Sequence, residues 1–151
     1  MSQTLRTISP TAFADRGLVR APKLLALSQS RQTPAILHWV LGDLRKRGSF
    51  ESYLIEMGKA ARAAGVRMHL VVGKRADETI LASLSAAGVE VTCVDDVTLD
   101  TVGYFARQVR RIRPWLVHCH FGSPSTRFAA VAKLLGVRRF VFTDHGSRSA
   151  Q

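Results

Sequence analysis

Three glycines at matching junctions constrain the fold of this chain more than any other feature. Ala64-Gly65-Val66, Ala87-Gly88-Val89 and Leu135-Gly136-Val137 each close a stretch of helical spacing and open a short apolar run. A helix often ends on a residue in the left-handed region, where glycine avoids the clash that a Cβ would make. A β-branched residue straight afterwards favours a strand. Repetition of this junction implies serial βα units and a parallel sheet, with few topologies left once crossovers are right-handed.

Periodicity fills in the rest. Apolar runs predict strands over 35–40, 66–72, 89–94, 115–119 and 139–143. Helical spacing predicts helices over 50–64, 76–87, 99–112 and 125–135, the third closed by Arg113-Pro114 because proline disfavours helix in the residue before it. The expected fold class is α/β: a Rossmann-like, three-layer domain around a mostly parallel sheet. A hydrophobic fraction of 46% can supply its core, and 151 residues suit one domain.

Residues 1–34 read differently. Pro10, Pro22 and Pro34 punctuate a stretch without sustained periodicity, which is expected to be a disordered or mis-started leader. Its Arg, Ser and Thr content also resembles an organellar transit peptide, the less favoured reading. No apolar run approaches the ~20 residues of a membrane-spanning helix. Cys93 and Cys119 read as reduced thiols of a cytoplasmic protein.

The formal net charge is +11, from 22 Lys plus Arg against 11 Asp plus Glu. Such an excess favours polyanionic partners. The few aromatics do not alternate with the basic residues, and neither a zinc-finger spacing nor an aromatic ribonucleoprotein signature occurs, so nucleic acid is not expected. Peripheral contact with anionic lipid at the inner face of the membrane remains in keeping with the charge.

Open parallel sheets bind ligands beyond the carboxyl ends of their strands, where the strand order reverses. An order of 3-2-1-4-5 would put that reversal between the first and fourth strands. After strand one, Gly48 and Ser49 offer a flexible backbone and a capping hydroxyl at a helix N-terminus, a place suited to phosphate. Arg45-Lys46-Arg47 beside them reads first as a solvated face. The pattern is neither the dinucleotide glycine fingerprint nor the P-loop, so no such cofactor is expected. After strand four, His118 and His120 share one face, with Cys119 on the other. After strand five comes His145. His118, His120 and His145 lack an adjacent carboxylate motif or thiol pair, so no metal is expected. Nothing local lowers the pKa of Cys119 to make it a nucleophile.

The strings Pro114-Trp115-Leu116-Val117-His118-Cys119-His120 and Phe142-Thr143-Asp144-His145-Gly146, with Leu135-Gly136-Val137 between them, resemble the N-terminal domain of family-four glycosyltransferases. Gly48-Ser49-Phe50-Glu51 is similar to that family's Gly-Gly-hydrophobic-Glu segment. The resemblance covers about residues 35 to 147. It implies the acceptor-side, N-terminal half of a GT-B fold, with 35–151 as a C-terminally truncated domain. The parent enzyme would be a retaining glycosyltransferase moving a sugar from a nucleotide-sugar to a glycan or lipid-linked acceptor, without metal or separate cofactor.

By that resemblance His145 is the catalytic-cleft histidine that contacts the transferred sugar. Gly48 and Ser49 lie by the donor diphosphate, and His120 and Gly122 line the acceptor side. No side-chain nucleophile is implied, since the family is taken to use the donor's leaving phosphate as base. Ser49 replaces the second glycine of the motif, and Trp115 stands where the family often has Asp. The family's donor-binding domain has no counterpart in these residues, so the chain alone is expected to be inactive. It is expected to work with that domain in cis or in trans. Truncation should leave an unpaired sheet edge and an uncovered apolar surface, hence marginal stability or association. The alternatives are a non-catalytic binding or partner module of the same fold, or half of another GT-B enzyme such as a sugar-nucleotide epimerase. The donor sugar, its nucleotide and the acceptor are not legible.

Overall fold

A computed structural model describes residues 33–45, 47–121 and 126–144. Among these residues five strands form the sheet: β1 (Ala35–Val40), β2 (Arg67–Gly73), β3 (Val89–Val94), β4 (Leu116–His120) and β5 (Arg139–Thr143). All four pairings are parallel, and the order is β3-β2-β1-β4-β5. The α/β expectation and the reversal between β1 and β4 both hold. The expected leader, apart from Thr33 and Pro34, lies outside the described residues.

Among the described residues five helices connect the strands: α1 (Ser49–Ala63), α2 (Glu78–Ala86), α3 (Asp96–Leu99), α4 (Val102–Ile112) and α5 (Thr126–Leu134). Gly65, Gly88 and Gly136 take φ of 67°, 87° and 81°, the left-handed turn that the junctions implied. The single helix expected over 99–112 is two. Thr101 interrupts it, and its hydroxyl accepts from the Tyr104 N–H at 3.3 Å to start α4 afresh. At its other end α4 stops on Arg113, itself left-handed at φ 51°, before Pro114.

Side-chain alternation along the strands splits the interior into two cores, one on each face of the sheet. Leu54, Ile55, Ile80 and Leu84 from α1 and α2 cover Val40, Met68, Leu70 and Val72. On the other face Leu99, Phe105, Val109 and Phe128 from α3, α4 and α5 cover Leu37, Trp39, Val71 and Cys119. Trp39 anchors this second core. Phe105 meets it edge-on at 5.0 Å between centroids, and Phe128 lies 4.8 Å from Phe105. Among the described residues β3 and β5 are the sheet edges, and Val141 on β5 is 39% exposed.

Truncating Phe105 removes a fully buried ring that touches both other aromatics. Phe105→Ala is expected to lower unfolding free energy by about 3–5 kcal/mol in urea denaturation. A loss below about 1 kcal/mol would mean the aromatic trio does not hold this face together.

Candidate functional site

The carboxyl ends of β1 and β4 are joined directly. Leu41 N–H donates to the His120 carbonyl at 3.0 Å, and Phe121 N–H donates to the Thr143 carbonyl at 3.2 Å. The loop after β1 then folds over the end of β2, where Gly73 N–H donates to the Gly42 carbonyl at 3.0 Å. A Cβ on Gly73 would overlap Asp43 Oδ1 and lie 2.8 Å from that same carbonyl. Glycine is therefore required there by contact with backbone. Asp43 pairs with Arg45 at 2.7 Å, which ties the first residue of the basic run to the loop. Lys46 is outside the described residues, and Arg47 is exposed.

Gly48 occupies the N-cap of α1 and Ser49 is its first helical residue, and among the described residues no side chain caps the helix. Ser49 was expected to supply the capping hydroxyl. It sits one residue too late, because a cap must be the non-helical residue before the first turn. Gly48 has an extended backbone, φ −147°, which any residue can adopt. What crowds a side chain at Gly48 is the Glu51 carboxylate, 3.1 Å from where a Cβ would stand.

His120 is brought against this first turn of α1. Its ring lies 5.0 Å from Phe50 and 6.4 Å from Tyr53, centroid to centroid. It is 0% exposed, so the imidazole is buried against the first turn of α1 and not presented at the rim. Just beyond it Phe121 takes φ 60°, a left-handed conformation that strains a bulky residue, and packs edge-on against Phe50 at 4.8 Å. Gly122 and His145 lie outside the described residues.

Below the rim the sheet register assembles a histidine group that sequence reasoning missed. His38 pairs with His118 across β1 and β4, and His120 follows two residues later on the same face. His38 Nδ1 and His120 Nε2 are 2.9 Å apart, a hydrogen bond in which one ring must donate. His118 Nε2 and Thr143 Oγ1 are 2.8 Å apart. The ring centroids of His118 and His120 are separated by 3.9 Å. Burial, and to a lesser degree the neighbouring His118, pushes the His38 pKa down from 6.5 to about 3. The period-two pattern around Ile36 and Val40 carried the signal for His38. It had no evident partner until β1 was set beside β4.

Cys119 faces the other core, and burial pushes its thiol pKa up to about 12. It is a packing residue, not a nucleophile.

The His38 shift has a consequence for stability. Between pH 6.5 and about 3 the unfolded chain takes up a proton that folded His38 refuses. This contribution is complete above pH 6.5 and is lost as pH falls towards 3, at up to about 1.4 kcal/mol per pH unit. Urea midpoints measured with chelator present should drop more steeply on acidification for wild type than for His38→Gln. Parallel profiles would show that the ring is not held neutral.

The comparisons with known proteins agree with this architecture. The solved structure of a glycosyltransferase from Rickettsia africae ESF-5 aligns with a TM-score of 0.57 and 17% sequence identity, over 80% of this chain and 32% of that one. At such identity the likeness speaks for the fold, and the chain spans about a third of that protein's length. No curated protein matches it in sequence. The family profile described as glycosyl transferase 4-like matches residues 47–150, a stretch that runs from the turn before α1 through β5 and beyond. A profile match of that extent, on a sheet of this order, makes the chain a member of the glycosyl transferase 4-like family.

Proposed function

We propose that residues 35–151 form the acceptor-side half of a retaining GT-B glycosyltransferase, with 1–34 as a leader, and that sugar transfer requires a donor-binding domain supplied in cis or in trans. The observation that carries this reading is the meeting of the α1 N-terminus with the end of β4, through Phe50 and His120. Helix N-termini present backbone N–H groups and positive potential, which suit the diphosphate of a nucleotide-sugar. Gly48 and Ser49, the cap and the first helical residue of α1, would bind there. Glu51 stands beside Gly48 and would have to swing aside for an anion.

His145 is assigned to the transferred sugar, and His120 with Gly122 to the acceptor side. Support comes from the register: His120 pairs with Thr143, so the chain leaves β4 and β5 at neighbouring points on one rim. Because His120 is buried, its part is to shape the acceptor wall through Phe50 and Phe121 unless the rim opens. The leaving phosphate, held by N–H groups, would serve as base, and stabilising its charge is the main demand on the protein.

The test is to restore a donor-binding domain, by fusion or co-expression, and to measure nucleotide-sugar turnover. The combination should be active, and His145→Ala should lower turnover by about 100-fold. Equal turnover by the two would remove His145 from the mechanism. Acceptor binding without any turnover would favour the non-catalytic module. An in-frame continuation, or a neighbouring gene for the donor domain, is the genomic counterpart of the same expectation.

Membrane attachment is the second part of the proposal. Among the described residues no helix is long and apolar enough to cross a membrane. Arg67, Arg110, Arg111 and Arg113 line a cleft of about 590 Å³ at the amino ends of the strands, the opposite end of the sheet from His120. A cationic cleft of this kind suits anionic headgroups and leaves the carboxyl rim open. The chain should float with vesicles rich in anionic lipid and not with neutral ones, and Arg110→Glu with Arg111→Glu should weaken flotation several-fold. Equal flotation with both lipids would count against the attachment.

A further inference from the structure

We propose that His38, His118 and His120 form a three-imidazole site for a divalent transition-metal ion such as Zn2+, clamping β1 to β4 beneath the carboxyl rim. The inference is independent of the sugar-transfer reading, since it concerns what the histidines hold and not what the crevice converts.

Three observations carry it. One ring nitrogen from each histidine can be chosen so that all lie within 4.8 Å of one another, while His38 Nδ1 and His120 Nε2 are already 2.9 Å apart. Tetrahedral zinc, with Zn–N bonds of about 2.0–2.1 Å, places its ligand nitrogens about 3.3 Å apart. The close pair would open by a few tenths of an ångström, and the third nitrogen would close by up to about 1.5 Å through a small tilt of its ring. Next, His38 Nε2 is buried without a hydrogen-bond partner among the described residues. The one hydrogen bond of His38 among the described residues is therefore the Nδ1 contact to His120, made by the nitrogen that would ligate, so no bond elsewhere anchors the ring against the small shift a metal needs. Lastly, the set already has an outer contact. A His118 ring that ligates through Nδ1 would donate from Nε2 to the Thr143 hydroxyl, the support that metal-bound histidines normally have.

The donor set determines the class of ion. Imidazole nitrogens select Zn2+, Co2+, Ni2+ or Cu2+, whereas Mg2+ and Ca2+ need oxygen ligands. Three protein ligands leave a fourth position for water. His118 is half-buried and Val141, its register partner on β5, is exposed, so the group comes nearest to solvent on that side. The sequence expectation of no metal considered His118, His120 and His145. The third ligand is His38, from a strand 80 residues upstream of His118 in the chain and adjacent to it in the sheet.

The test titrates chelator-treated full-length chain with Co2+. Visible ligand-field bands of a tetrahedral site should saturate at one ion per chain, and Zn2+ should abolish them by displacement. In wild type, NMR should reveal three hyperfine-shifted imidazole N–H signals, a count that needs no variant. His38→Gln and His118→Gln should each weaken Co2+ affinity by at least about 10-fold. His69→Gln, which alters a histidine paired with Glu90 elsewhere on the sheet, should leave it unchanged. Circular dichroism checks the fold of each variant, and the wild-type spectra decide if one fails. Absence of tetrahedral bands, fewer than three shifted signals, or loss of affinity in His69→Gln alone would overturn the proposal.

Discussion

Parallel pairing of β1 with β4 is the contact on which the rest of the molecule depends. It makes the chain reverse direction across the sheet, so that α1 and α2 cover one face and α3, α4 and α5 the other. It also sets Trp39 beside Cys119 in one core and His38 beside His118 next to the other. A slip by one residue in that register would exchange those faces, sending imidazoles into an apolar core and an indole among polar groups. The crevice at the carboxyl rim is thus a by-product of how two central strands align.

Much of this was legible because it is local. The junctions at Gly65, Gly88 and Gly136 announce the end of a helix and the start of a strand within three residues, and the left-handed turns confirm the physical reason. The break between α3 and α4 was local too, but masked. Leu99, Val102 and Phe105 keep a helical apolar spacing across it, while the capping hydroxyl of Thr101 restarts the helix. Apolar periodicity records which side is buried and does not register whether the hydrogen-bond ladder is continuous.

The candidate site was harder to read, for a different reason. Gly48 and Ser49 were found by their place after a strand, and the error over which one caps α1 is a shift of one residue. His120 was found by its motif, yet its burial depends on Phe50 from a distant segment. His38 escaped altogether. An isolated histidine in an apolar run carries no meaning until the strand order names its neighbour, and that order is a property of the whole chain.

One glycine ties the crevice to the sheet more tightly than its size suggests. Gly73 ends β2 with the loop that follows β1 lying directly on it, leaving no volume for even a methyl group. Neither segment can drift in sequence or length without the other. Diversification of ligand preference across such domains would then be channelled away from this stretch, towards the turns that follow β4 and β5.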